Sequence, residues 1–219
     1  PGLTAGVVSG EREKQTLNLL LTTQQSSTSI ILSKLVSSLS FMTLLVISTM
    51  PIFSIVFLYG GISPGQVVTV FLFYLFTLFA FGSFGVLFST LLKRTMLSVI
   101  TSYGVTLFLY VGTAFLYLIL GMLVESWTAN QTNPSDHYRW IGLLMGLNPA
   151  VALVSIFETE LSDSVFRVGL SGPSTDAPIE LWQEYFIVYS VLAVIAILYS
   201  IRRIRPVLKP KRKKAADEG

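Results

Sequence analysis

A stretch of 58 consecutive residues, from Leu35 to Leu92, contains no Asp, Glu, Lys or Arg. The surface of a soluble domain carries charged side chains of both signs. An uncharged stretch of this length leaves few residues that could supply them. Over all 219 residues only 12% are charged, against about 25% in soluble domains. Because a helix satisfies its own backbone hydrogen bonds inside a bilayer, the pattern predicts an all-α integral membrane protein.

The uncharged stretches divide into membrane-spanning helices. One span needs about 20 apolar residues, so residues 35–92 are too long for a single helix and are predicted to hold two. Turn-forming residues between Gly60 and Gly65 separate these two helices. The four complete spans predicted are, in chain order, 35–59, 67–92, 95–124 and 185–201.

The basic residues predict which ends of the spans face the cytosol. Thirteen of the 15 Lys and Arg residues lie on the side of Lys34, Lys93 and Arg94, if residues 140–157 do not cross the membrane. An excess of Lys and Arg marks the cytosolic side. We therefore predict that residues 202–219 are a basic cytosolic tail and that residues 125–184 form an outer loop.

Residues 140–157 are apolar but are interrupted by Gly142, Gly146 and the pair Asn148-Pro149. A crossing at this point would place the basic tail outside, against the distribution of Lys and Arg. The segment is therefore predicted to stay on the outer side. Two forms are open, a broken re-entrant helix seated on protein and a peripheral helix on the surface.

The sequence lacks the motifs of several functional classes. It has no Cys and a single His, His137, too few ligands for a thiolate or histidine metal site. The dipeptide Gly-Lys does not occur, which excludes a P-loop for nucleotide phosphates. The four predicted spans contain no ionisable residue, whereas ion-coupled carriers usually need one. We therefore expect no enzyme, no cofactor in this chain and no nucleic-acid partner.

Small residues recur along the first two predicted spans. They are Ser37, Ser40 and Ser48 in the first span, and Gly82, Gly85 and Ser89 in the second. Stripes of small residues let helices approach closely, and the same stripes can line a transport pathway. Both interpretations stay open from the sequence.

The segment before the first span carries the most distinctive pattern. Residues 9–29 are predicted to form a cytosolic loop with a short helix from Glu11 to Leu21. Its acidic first turn suits the positive end of the helix dipole, and three leucines at helical spacing form an apolar patch. These leucines are Leu17, Leu20 and Leu21. Such a helix either lies on the membrane surface or docks onto a cytosolic partner.

This segment resembles the cytosolic loop of the permease subunits of type-two ATP-binding-cassette exporters, in which a Glu-Arg-Glu run precedes Thr-Leu and a pair of leucines. The resemblance continues in FGVLFSTLLKR and LNPAVAL further along the chain. It implies that the segment is a coupling helix bound by an ATPase subunit. The residues assigned to this contact are Glu11, Arg12, Glu13, Lys14, Thr16, Leu17, Leu20 and Leu21.

The resemblance also implies an assembly. A subunit of this kind has six spans, so residues 1–8 would end a truncated span and residues 30–201 would form the transmembrane domain. Two copies of a separate ATPase would hold ATP and magnesium, and a second permease subunit would complete a homodimer or heterodimer. The implied location, surrounded by membrane lipid, is a cell membrane of bacterial type.

Two other classes of protein stay open at this point. A passive channel or secondary carrier would need a charged filter or an ionisable group within the membrane. A membrane scaffold would use its inner helix only to dock a partner, without transport. The first class requires residues that the predicted spans lack, so the exporter permease is the leading hypothesis.

Overall fold

The computed structural model describes residues 1–16, 27–52, 55, 63–128, 140–166 and 178–204. Within these ranges the chain is helical and contains no strand. The helices in chain order are α1 (Gly2–Ala5), α2 (Ser9–Glu13), α3 (Ser27–Ser48), α4 (Pro64–Leu91), α5 (Thr95–Leu107), a π-helical turn (Phe108–Gly112), α6 (Thr113–Thr128), α7 (Trp140–Gly146), α8 (Pro149–Ser155), α9 (Thr159–Phe166) and α10 (Leu181–Ile204).

Among the described residues, four helical segments are long and apolar enough to cross a membrane, as judged by length and composition. They confirm the prediction of an all-α membrane protein with four spans. The first span is Ser27–Ile52, the second Pro64–Leu91, the third Thr95–Trp127 and the fourth Leu181–Ile204. The third span is continuous through α5, the π-helical turn and α6.

Three spans extend past the charged residues that limit them in the sequence, and the third span runs past Glu125 to Trp127. The first span begins at Ser27 and includes Lys34, which forms an ion pair with Glu11. The fourth span begins at Leu181 and includes Glu184, which is buried. The helices that carry these spans are therefore longer than the predicted ranges and include charged residues near their ends. Charged residues do not mark the ends of these spans, because a charged side chain that packs against protein avoids contact with the lipid.

The start of the second span shows how local sequence sets a helix end. Ser63 caps the helix by accepting a hydrogen bond from the backbone N–H of Gln66, and the Gln66 side chain accepts one from the N–H of Ser63. Pro64 occupies the first helical position, where its missing N–H costs nothing. Ser63 and Pro64, which the sequence places in a turn, therefore also form the start of this helix.

The inner ends of the first, second and fourth spans meet in a hydrophobic cluster. We call inner the end of the bundle that carries Lys34, Lys93 and Arg94. The cluster joins the segment after α1 to the first, second and fourth spans through its buried members, which are Val8, Ile31, Leu35, Val86, Ile201 and Ile204. This packing seats the chain before the first span firmly against the bundle.

A second, aromatic cluster packs the middle of the bundle. Tyr185 of the fourth span stacks on Phe73 of the second span, with ring centroids 5.1 Å apart. The Tyr185 hydroxyl donates a hydrogen bond to Thr77 Oγ1 at 3.1 Å, which satisfies its polar atom within the apolar surroundings. The second and fourth spans therefore form a central pair on which the other helices rest.

Two glycines allow close packing against the second span. A side chain at Gly85 would overlap the Thr4 side chain and would lie 2.9 Å from the carbonyl oxygen of Pro1. A side chain at Gly82 would lie 2.8 Å from Leu39 of the first span. Both glycines are buried, so α1 and the first span approach the second span as closely as the missing side chains permit.

We expect Gly85→Ala to destabilise the membrane domain by about 1 to 3 kcal/mol, the usual cost of overpacking a tight contact. Part of the obstacle is the backbone at Pro1, which cannot move aside as a side chain can. Gly104→Ala is the matched control, since nothing lies within 4 Å of a methyl group added there. Thermal unfolding of both variants in detergent compares them, and equal stabilities would contradict the prediction.

Candidate functional site

The candidate site is built on α2, which lies at the inner end of the bundle. Helix α2 follows α1 after a break at Gly6–Val8. Its first backbone N–H groups, those of Val8 and Ser9, both donate to Ser89 Oγ of the second span at 2.9 Å. Ser89 therefore acts as the N-cap that α2 lacks in its own sequence. The contact fixes the start of α2 on the second span.

Three consecutive charged residues of α2 contact three different spans. Glu11 forms an ion pair with Lys34 of the first span. The Arg12 guanidinium donates to the carbonyl oxygen of Thr90, at the inner end of the second span, at 3.4 Å. Glu13 accepts two hydrogen bonds from Thr95 of the third span. We call these six residues the inner cluster.

The contact of Glu13 with Thr95 caps the third span. One carboxylate oxygen accepts from the Thr95 backbone N–H and the other from its hydroxyl, both at 2.8 Å. Thr95 is the first residue of α5, and Arg94 before it makes no side-chain cap. A carboxylate at this position satisfies a free N–H and faces the positive end of the helix dipole. Glu13 therefore holds the third span by its inner end.

Helix α2 ends earlier than the sequence predicted. Gln15 has φ of 58°, in the left-handed region. The Gln15 N–H donates to the Arg12 carbonyl, and the Thr16 N–H to the Glu11 carbonyl. This is the closure by which many helices end, so the prediction of an unbroken helix from Glu11 to Leu21 is wrong at Gln15.

The remaining residues assigned to partner contact are placed in part. Lys14 and Thr16 are exposed, and the Thr16 hydroxyl donates to the Glu11 carbonyl. Leu17, Leu20 and Leu21 lie outside the described residues. Glu11, Arg12 and Glu13 contact their own chain, so these three residues anchor the segment to the bundle. Whether these residues also meet a partner stays a prediction.

The carboxyl group of Glu13 has a pKa below its ordinary value of 4.5, chiefly because it accepts the hydrogen bond from the Thr95 backbone N–H. The Thr95 hydroxyl and the positive charge of Arg94 act in the same direction. A lowered pKa means that folding favours the ionised form. The contribution of Glu13 is therefore fully present above pH 4.5 and is lost as the pH falls through the lowered value.

We expect the difference in thermal stability between the unmodified chain and Glu13→Gln to shrink as the pH falls below about 4.5. The effect is modest because the carboxylate is exposed. Comparing the two proteins at each pH removes the contribution of other carboxylates. A difference that does not change with pH would show that the charge of Glu13 does not hold the third span.

Residues 140–157 form two short helices at the outer end. Helices α7 and α8 have seven residues each, about 10 Å of helix apiece, so neither crosses the bilayer. The break falls at Asn148 and Pro149, where a broken helix was predicted, with Asn148 capping α8 through the N–H of Ala150. We call α7, α8 and the turn between them the outer hairpin.

The small residues of the first two spans differ in their environment. Gly82, Gly85 and Ser89 are buried in the contacts described above. Ser37, Ser40 and Ser48 are exposed on the first span. A cavity of about 770 Å³ opens between the first and second spans, with a mostly apolar lining that includes Met42, Leu45, Val67 and Phe71. A role of the first-span serines in packing or in a pathway stays a prediction.

The fold and the inner cluster define a membrane protein of several spans whose inner segment is anchored to three of them. A model of the ABC-2 family transporter proteins matches residues 3–203. The chain therefore belongs to this family, and it is an ABC transporter permease, a membrane subunit of a kind that implies a partnership with an ABC ATPase. Neither a curated protein nor a solved structure matches the chain.

Proposed function

We propose that this permease exports its substrate with energy from ATP hydrolysed by separate ATPase subunits. Two ATPase copies, which hold ATP and magnesium, and a second permease subunit complete the transporter. The observation that carries the proposal is the inner cluster, in which Glu11, Arg12 and Glu13 each contact a different span. A displacement of this segment acts on three membrane helices at once.

The ATPase is proposed to bind the chain that follows Glu13. Residues up to Glu13 are committed to contacts within the permease, whereas Lys14 and Thr16 point to solvent. The leucine patch that follows supplies the apolar surface that a partner groove needs. Division of the segment into an anchored part and a bound part lets the ATPase pull on the spans without breaking the anchor.

The nucleotide chemistry is assigned to the partner because the sequence of this chain has no P-loop. The proposed location is the plasma membrane of a bacterial cell, with the inner cluster and the basic tail in the cytosol. The charge distribution supports this orientation, since Lys34, Lys93 and Arg94 lie at the same end of the bundle as α2.

The test uses the full-length permease produced together with a P-loop ATPase, the candidate being any that a neighbouring gene encodes. Because this sequence contains no Cys, a cysteine placed at Glu160, an exposed residue of α9, takes a single fluorescent label. In lipid nanodiscs, MgATP is expected to change the emission of the label. The same permease without the ATPase is the control and should not respond. Failure of the ATPase to co-purify, or an equal response without it, would refute the proposal.

A further inference from the structure

The third span contains a defect that the coupling role alone does not explain. Its residues Phe108–Gly112 form a π-helical turn between α5 and α6. In such a turn the backbone hydrogen bonds span five residues instead of four, and these turns often lie at functional sites. Within a membrane, a further hydrogen bond to a carbonyl of this turn needs a partner from protein, because no water is available there.

Asn148 of the outer hairpin supplies this partner. Its side-chain NH₂ group donates to the Tyr110 carbonyl oxygen at 2.7 Å and to Thr113 Oγ1 at 3.2 Å. Its carbonyl oxygen accepts from the N–H of Ala150 at 3.0 Å, which caps α8. Asn148 is 3% exposed, and both ends of its amide are paired: the NH₂ group donates to the third span, and the carbonyl oxygen accepts from its own hairpin.

The turn of the outer hairpin is also held from the opposite side. The hydroxyl of Tyr189 in the fourth span donates to the carbonyl oxygen of Leu147 at 2.8 Å. Gly146 lies against the carboxylate of Glu184, so closely that a side chain at position 146 would overlap it. The turn is therefore fixed between the third and fourth spans, and a shift of either span has to act on it.

One helix thus connects the two ends of the molecule. Glu13 holds the third span at Thr95, and Asn148 holds it at Tyr110, about 20 Å further along the helix axis. We propose that Asn148 is a positioning residue that ties the outer hairpin to the third span, so that movement of the inner cluster reaches the outer surface. This inference rests on the proposed function, since it requires an ATPase to move the inner cluster.

The test uses the labelled full-length complex in nanodiscs, with the fluorophore at position 160 and MgATP as the stimulus. Asn148→Ser keeps a side-chain oxygen to cap α8 but is too short to reach Tyr110. We expect it to reduce the change in emission about fivefold or more, while the rate of ATP hydrolysis stays within about twofold. An emission change equal to that of the unmodified complex would overturn the inference.

Ser155→Ala is the matched control. Ser155 is buried in the same hairpin, but its hydroxyl donates to the carbonyl of Ala152 within α8. Its loss should leave the emission change intact, and an equal reduction in both variants would assign the effect to general weakening of the hairpin. Thr113→Val removes one acceptor of the Asn148 amide with little change in shape. It is expected to reduce the response by about twofold, so the inference fails if this variant responds fully.

The same experiment separates this inference from the proposed function. If the unmodified complex shows no response to MgATP, the proposed function has failed. If the unmodified complex responds and Asn148→Ser responds equally, only the role of Asn148 is refuted.

Discussion

Replacing Leu20 with Asp is expected to release the ATPase from the permease while the membrane domain stays folded. In the proposed function the leucine patch that follows Glu13 is buried in a groove of the ATPase. Losing the burial of one leucine costs about 1.5 to 3 kcal/mol, and burying a carboxylate in its place adds a further penalty. Since about 1.4 kcal/mol is a tenfold change in affinity, the complex should not survive purification.

Co-purification of the full-length permease with its co-expressed ATPase measures this effect. Lys14→Ala is the matched control, because an exposed charge near the same contact contributes less than about 1 kcal/mol. An unchanged thermal unfolding temperature shows that Leu20→Asp leaves the membrane domain folded. If the segment only rests on lipid headgroups, the variant retains the ATPase in full, and the coupling role of the segment is then abandoned.

The membrane spans follow from the sequence because their cause is local. A long uncharged stretch needs lipid or protein around it wherever it lies in the chain. Composition and turn-forming residues are therefore enough to predict that residues 35–92 hold two spans. The limits of the spans are harder to predict, because a charged residue does not always end a span. Lys34 and Glu184 lie inside spans, one paired with Glu11 and the other buried against Gly146.

The inner cluster could be predicted only in part. The sequence singled out Glu11, Arg12 and Glu13 but assigned them to a partner. Their contacts within the chain lie far along the sequence, with Thr90 separated from Arg12 by 78 residues and Thr95 from Glu13 by 82. No local pattern specifies which helix end a carboxylate will cap. One signal was available, because Arg94 leaves the start of the third span without a capping side chain of its own.

The π-helical turn has no evident signature in the sequence. Residues Phe108–Gly112 have the sequence of an ordinary apolar helix, and only the structure shows that the Tyr110 carbonyl accepts a hydrogen bond from Asn148. The sequence did mark Asn148 and Pro149 as a helix break. The second use of that asparagine, as a donor to the third span, depends on packing that a single sequence does not display.

The ion pair between Glu11 and Lys34 allows a test of whether the charges of these two side chains, and not only their shapes, hold the inner cluster together. The two side chains are only 20% and 25% exposed, so a broken pair is poorly compensated by water. Glu11→Lys would place two positive charges together at the start of the first span. We expect this change to destabilise the membrane domain by about 3 kcal/mol, as for other mostly buried pairs that lose one partner.

The double variant Glu11→Lys with Lys34→Glu restores opposite charges at the same two positions. We expect it to recover most of the stability lost in Glu11→Lys, measured by thermal unfolding in detergent, and to recover the MgATP response of the label at position 160. Recovery requires a direct interaction, since two unrelated lesions would add. Lys14→Glu is the control for reversing a charge on an exposed neighbour, with an expected effect below about 0.5 kcal/mol. A double variant no more stable than Glu11→Lys would mean that this pair does not anchor α2 to the first span.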